Sequence, residues 1–379
     1  MKSAHRSGSF YIRLQSTRAI LIRNTDFRPE TVLEVQGAKR RENYELQHMM
    51  SHSRLDAGRK PCLKEMNERK LINSLRSIFD SPAPPLGMGD DCSVIGIDGR
   101  KLLVTTDMLF ESTHLKYCDT YRQKGRMAMS ANLSDIAAMG GRPLYAFTGL
   151  GLPPGITPAN AHSLARGISE VAKEHAVSVL GGDTKRAHEL TVSITLMGEA
   201  ESAPLLRSGA KPGDVVAVTG LLGRAAYSYS LKRSGTRSVP GICDVRPRIE
   251  EGIALARSGQ INAATDITDG LALSLHYISE ASGTAMEIDG DSIPFYSSHP
   301  PPGMSTSKWR EMALCWGGDY ELLFTANSGL DIGKLRKEGC GDVRVIGRVT
   351  EGKGVYITEA GKRKSIPAKG YDSLRGKCT

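Results

Sequence analysis

Apolar positions along this chain fall into two periods. Leu71, Ile72, Leu75, Ile78 and Phe79 recur at helical spacing, and Pro82, Pro84 and Pro85 end that helix. "CSVIGI" and "KLLVTT" read as strands flanking Asp98-Gly99, a hairpin dipeptide. "KGRMAMSANLSDIAAMGG" predicts a helix closed by glycines, and "PLYAFTGLGL" a strand. Thr157 and Pro158 supply the N-cap and first position of a helix running to about His175. "VSVLGGDTKR" and the alternating "LTVSITLMGE" follow as strands.

The turn-rich stretch "ESAPLLRSGAKPGD" then separates this half from the next. Beyond it strand and helix alternate: "VVAVTG" and "LLGRAAYSYSLKR", "INAATDI" and "TDGLALSLHYISEASG", "KWREMALCWGG" and "YELLFT", with "RVIGRV" near the end. The pattern predicts an α/β (α+β) protein with domains at 64–205 and 206–379. Residues 1–63 show no sustained period and are expected to lie outside the fold.

Composition agrees. The 379 residues are enough for two cores, and 40% hydrophobic content, 24% charged content and 41 glycines suit a soluble, loop-rich α/β chain. No apolar run reaches the ~18 residues needed to span a bilayer. The seven cysteines (Cys62, Cys92, Cys118, Cys243, Cys315, Cys340 and Cys378) form no CxxC pair. That argues against a zinc site and a disulfide framework, and predicts a reducing, cytoplasmic setting. The formal charge is +9, but residues 1–63 hold 12 Lys/Arg against 6 Asp/Glu, and no aromatic-studded basic patch follows, so nucleic acid is not the expected partner. The Arg-rich, acid-poor start resembles a transit peptide, whereas Met49, Met50 and Met66 allow a later start.

The candidate chemistry lies in the aspartates. They recur at strand ends or helix turns beside Gly, Ser or Thr: Asp90-Asp91, Asp107 after Thr105-Thr106, Asp135, Asp183 after Gly182, Asp266 and Asp269 around Thr268, and Asp319 after Gly318. Singly, each has a structural reading, Asp269 as a helix cap and Asp107 as a strand-end turn residue. Together they suit a hard cation, because Mg²⁺ takes oxygen ligands shared between carboxylates and substrate phosphates. There is no GxxxxGK[ST] phosphate cradle and no kinase HRD or DFG. Metal ions bridging phosphates, with Arg207 in a flexible loop, could replace the cradle.

"GMGDDCSV", "TTDMLFESTHL", "NLSDIAAMGGRP", "GGDTKR", "RSGAKPGD", "DITDGL" and "GGDYELLF", in that order, resemble the thiamine-monophosphate kinase family, part of the ATP-using superfamily of aminoimidazole ribonucleotide synthetase. The resemblance spans about residues 64–375. It implies a homodimer joined through the sheets of its N-terminal domains, which phosphorylates thiamine monophosphate from ATP with several Mg²⁺ ions. Carried over, it implies metal ligands at Asp91, Thr105, Thr106, Asp107, Asp135, Asp183, Asp266 and Asp269, with Asp107, Asp183 and Asp269 as the catalytic core. It also implies nucleotide contacts at Gly182, Arg207 and Thr268, and a substrate-facing His114. No general base is expected, since a phosphate monoester with a second pKa near ~6 is already the nucleophile.

Two positions depart from the family pattern. Gly318 stands where bacterial members have Glu, and Ala368 where many have an aromatic residue; both positions face the thiamine end of the site in the family. Trp316 or Tyr371 could supply the missing aromatic face, or could be core residues. The alternatives are a related superfamily enzyme acting on another phosphorylated acceptor, or a non-catalytic Mg-nucleotide-binding protein.

Overall fold

The computed structural model describes residues 68–236, 241–374 and 377–378. The expected extension at 1–63 lies outside them. The first helix, α1 (Glu68–Ile78), precedes a hairpin of β1 (Ser93–Ile97) and β2 (Arg100–Phe110). Asp98 and Gly99 make its turn at φ 49° and 78°, the doubly positive geometry that matches the twist of paired strands. Then come α2 (Tyr121–Ala138), β3 (Gly141–Leu152), α3 (Pro158–Glu174), β4 (Ser178–Arg186) and β5 (Thr191–Ala200). Both helices start at caps written in the sequence. The Thr120 side chain accepts from Gln123 N in a capping box, and Thr157 accepts from Asn160 N ahead of Pro158.

The five strands form one sheet in the order β1-β2-β5-β3-β4. Alternation sets its two faces. Val192, Ile194 and Leu196 of β5 are buried with Leu103 and Leu109 of β2 on the face that packs against α2. On the other face Ile95, Ile97, Met108, Tyr145 and Phe147 are 39–53% exposed.

The second half contains β6 (Val215–Thr219), α4 (Arg224–Arg233), α5 (Ile249–Ser258), β7 (Ile261–Asp266), α6 (Leu271–Ser282), β8 (Ala285–Asp289), α7 (Thr306–Cys315), β9 (Leu322–Ala326), α8 (Ile332–Lys337) and β10 (Val343–Thr350). β11 (Gly354–Glu359), β12 (Lys362–Ser365) and the short pair β13 (Tyr371–Asp372) and β14 (Lys377–Cys378) complete it. Seven strands form the second sheet, β12-β11-β8-β10-β6-β9-β7. Sequence periodicity missed α5, α8, β8 and the β11–β12 hairpin. One continuous apolar core runs from the first sheet through α2 to α5, β7 and β9, so the halves meet along α2.

α2 is buried on nearly every side, from Met127 round to Ala138. A helix enclosed by other elements shows no clean apolar stripe, and this one carries Asn132 and Ser134 inward as well, with half-buried Asp135 reaching Thr105.

The cysteine reading is corrected here. Cys118, in the loop after β2, is disulfide-bonded to Cys243, in the segment before α5, across 125 residues of chain. Spacing along the sequence could not reveal a pair that only docking of the halves brings together. The bond also removes the argument for a reducing setting drawn from cysteine spacing. Cys118→Ser should lower unfolding stability by about 2–4 kcal/mol, the usual contribution of a long-loop cross-link. Denaturant melts with and without a thiol reductant test this, since the variant should no longer respond to reductant.

Candidate active site

Asp91, Asp135 and Asp266 come from three distant segments, yet one carboxylate oxygen from each lies within 4.8 Å of the others. Each is held by a different local device. Asp91 follows the Gly87–Asp90 turn, Asp135 lies in the last turn of α2, and Asp266 ends β7. Thr105 Oγ1 donates to Asp135 Oδ2 at 2.5 Å, Ser134 Oγ to Asp266 Oδ2 at 2.5 Å, and Thr265 Oγ1 to Asp91 Oδ1 at 3.0 Å. Asp91 Oδ2 is buried with no partner, and an unpaired buried oxygen of this kind fits a cation ligand.

Adjacent carboxylates at 90 and 91 divide one task. Asp90 accepts from the Arg207 backbone N at 3.2 Å, while Asp91 Oδ1 receives the Arg207 guanidinium at 2.5 Å through Nη2 and 3.2 Å through Nε. Arg207 also stacks over the Tyr277 ring at 4.6 Å. In the protein alone it is the counter-ion of the cluster, a role the nucleotide assignment did not foresee.

The titration of the cluster follows from its burial. Burial first, then the Asp91 charge, pushes Asp90 and Asp266 up to about 7. Asp135 is driven well above the ordinary carboxyl range by burial and then by Asp107, Asp266 and Asp91. Asp107 rises to about 6 and Asp269 to about 7, each from burial and then Glu68. These are the shifts of like charges crowded without a cation.

Asp107, Asp135, Asp266, Thr268, Asp269, Arg207, His114 and Gly318 line one cavity of about 560 Å³. Thr268 Oγ1 donates to Asp266 Oδ1 at 2.5 Å, and Asp107 N to Asn132 Oδ1 at 3.1 Å. Phe110 N–H donates to His114 Nδ1 at 3.4 Å, which leaves Nε2 as the N–H of the neutral ring. Burial lowers the His114 pKa, against a smaller opposite effect of Glu68, so the neutral form prevails at pH 7.

Other expected residues stand elsewhere. Thr105 and Asp107 share the inner face of β2, whereas Thr106 borders the cavity but turns its hydroxyl to the outer face, where it bonds Thr195 Oγ1 at 2.9 Å, as strand alternation requires. Asp183 does not join the cluster: its side chain is 67% exposed on edge strand β4 and pairs with Lys185 at 2.7 Å. Gly182 has a packing reason to be glycine, since a Cβ there would meet Thr148 O at 1.8 Å. Ala368 is exposed and outside the cavity wall, whereas Tyr371 lines it. Gly318 sits at φ 98°, where a side chain would be strained. Asp319 caps α4 instead, accepting from Gly223 N at 2.6 Å and Ala225 N at 3.1 Å.

Sequence reasoning missed Glu68 and Tyr117. Both line the cavity, and Glu68 Oε2 accepts from Ser373 Oγ at 2.6 Å. Neither stands in a recognisable glycine-rich turn, so only the fold brings them to the site.

Residues 89–200 match the AIR synthase related protein N-terminal domain, and 211–359 the corresponding C-terminal domain. The chain is 35% identical over 320 residues to a thiamine-monophosphate kinase of Pyrococcus horikoshii, covering 83% of this chain and 98% of that protein. It is 34% identical to the one of Methanospirillum hungatei, covering 81% and 99%. A solved structure of AaThiL complexed with AMPPCP and TMP superimposes with a TM-score of 0.70 at 28% identity, covering 83% of this chain and all of that one.

The buried acids make stability depend on pH in a definite direction. The folded chain keeps protons on carboxyls that the unfolded chain has already released, so this contribution is complete below pH about 4 and is lost as pH rises through about 7. In metal-free buffer Asp135→Asn, which retains an acceptor for Thr105, should therefore melt above the wild type at pH 8, by on the order of 1 kcal/mol. At pH 5 the difference should disappear; thermal melts at both pH values check this.

Proposed function

The chain belongs to the thiamine-monophosphate kinase family of AIR synthase related proteins, and we propose that it phosphorylates thiamine monophosphate with ATP, giving thiamine diphosphate and ADP. The observation that carries this reading is the buried Asp91–Asp135–Asp266 cluster, with its orphaned oxygen, beside a cavity that also holds Arg207 and His114.

Asp91, Asp135 and Asp266 would hold Mg²⁺, with Asp107 and Asp269 available for further ions. When bound, such ions neutralise phosphate oxygens of donor and acceptor, the main obstacle when two anions must react. The chain's own side chains do the rest. Arg207 presents its guanidinium at the cavity, where it can turn from Asp91 to a phosphate. His114 offers Nε2–H as a neutral donor to the acceptor phosphate. The acceptor oxygen attacks the γ-phosphorus of ATP as the β–γ bridging bond breaks, and it needs no base because the monoester is already ionised. Thr105, Ser134 and Thr268 keep the carboxylates oriented, so positioning is in place before substrates arrive.

The exposed apolar face of the first sheet supports a homodimer, because a patch formed by Ile95, Ile97, Met108, Tyr145 and Phe147 is unusual on a monomer's surface. β4, with Gly182 and Asp183, borders that face, so a second copy would bring these two exposed residues into an enclosed setting. No helix among the described residues is long and apolar enough to cross a membrane.

Purified protein with ATP, Mg²⁺ and thiamine monophosphate should form thiamine diphosphate. Asp266→Asn should cut kcat by at least ~10²-fold, the scale of losing one electrostatic stabiliser. Turnover of a different phosphorylated acceptor and none of thiamine monophosphate would overturn the substrate; an active, folded Asp266→Asn would overturn the metal assignment. Light scattering should give twice the chain mass, falling to one chain mass for Phe147→Asp.

A further inference from the structure

The same cavity carries a wall opposite in character to the acids. Trp316, at the C-cap of α7, stacks on Tyr229 of α4 with ring centroids 4.1 Å apart and planes 28° apart. Tyr117, from the loop after β2, meets the same Tyr229 ring edge-on at 5.3 Å and 79°. Three segments distant in sequence thus build one aromatic wall, and Trp316 and Tyr117 line the cavity.

The wall is fixed from behind. Lys232 Nζ donates to the Tyr117 carbonyl at 2.7 Å and to Asp119 Oδ1 at 2.6 Å. Cys118, next to Tyr117, is bonded to Cys243, next to the cavity residue Ile242. Lys116 and Arg233 lie over Tyr117 and Tyr229 at 5.7 and 5.9 Å, so both tyrosines already have cations of the chain as neighbours.

Trp316 differs from the other tryptophan. Trp309 is 1% exposed, and its Nε1 donates to Ser297 O at 3.2 Å, as expected of a core residue. Trp316 is half-buried, and its indole N–H makes no hydrogen bond among the described residues. Two positions on, Gly318 adds no side chain to the same cavity and holds φ 98°, so that position cannot readily regain one.

We propose that Trp316, backed by Tyr229 and Tyr117, is the specificity-determining surface for a flat, permanently cationic heteroaromatic ring at the far end of the phosphorylated acceptor. The chemistry that recognises such a ring is stacking together with attraction between a cation and a π face, strongest for indole. Trp316 and Tyr117 line the same cavity as Arg207 and His114, so a ring cation can meet Trp316 while the phosphate remains with Arg207 and His114. Tyr229 and Tyr117 are positioning residues that set the plane of the indole. This inference rests on the acceptor reading above.

The test separates the two. Because the chain has two tryptophans and Trp309 is buried, thiamine monophosphate should quench the intrinsic fluorescence of the wild type and of Trp309→Phe, and not that of Trp316→Leu. In steady-state assays Trp316→Leu should raise KM for thiamine monophosphate about tenfold, with kcat and KM for ATP within about twofold, the pattern of a lost ring contact. Trp316→Phe should recover most of the loss, which also guards against misfolding. With the neutral thiazole phosphate ester as acceptor, wild type and Trp316→Leu should be alike. If the wild type phosphorylates thiamine monophosphate and Trp316→Leu matches its KM, the aromatic wall is refuted and the activity stands. If the wild type neither phosphorylates nor binds it, both readings fall.

Discussion

Crowding of buried carboxylates is the constraint around which this molecule is organised. Asp91, Asp135 and Asp266 converge within 4.8 Å, a spacing at which ionised groups repel strongly in a medium that screens poorly. The fold manages this with hydroxyl donors from Thr105, Ser134, Thr265 and Thr268, with one guanidinium from Arg207, and with protons retained to about pH 7 on Asp266. None of these is as effective as a divalent ion. A divalent ion held there, as proposed, would relieve that repulsion and add stability in proportion to its binding.

The helix α2 links that constraint to the architecture. Along one turn it presents Asn132 to the backbone of Asp107, Ser134 to Asp266, and Asp135 to Thr105. It thereby ties the inner face of the first sheet to the end of β7 in the second. A surface helix could not reach both; burial on all sides is the consequence of standing between two sheets. The same reach explains why the acids arrive from positions as far apart as 91 and 266 and still meet.

How much of this could be read from the chain depended on whether the signal was local. The Thr157 cap, the Asp98-Gly99 hairpin and the acids beside glycines at strand ends are local signals, and their neighbours alone pointed to them. β8 was missed because five residues, AMEID, are too short a period and owe their strand to pairing with β10 and β11. Thr106 was grouped with Thr105 because sequence adjacency hides the reversal of sides along a strand. Asp183, drawn from "GGDT", looked equivalent to the other acids, and only burial separates it from them. Asp319 shows the converse, since its motif is legible while its task, capping α4, lies 94 to 96 residues away.

The Cys118–Cys243 bond imposes an order on biosynthesis. A growing chain exposes Cys118 long before Cys243 exists, and in that interval Cys62 and Cys92 are the cysteines already made. In the finished fold Cys92 is buried, its backbone N donating to the sulfur of Met139 in the loop after α2. A thiol buried in this way is withdrawn from exchange with the Cys118–Cys243 bond once the fold is complete. A molecule carrying the correct cross-link is one in which both halves have already met, so the bond serves as a chemical record that assembly was completed.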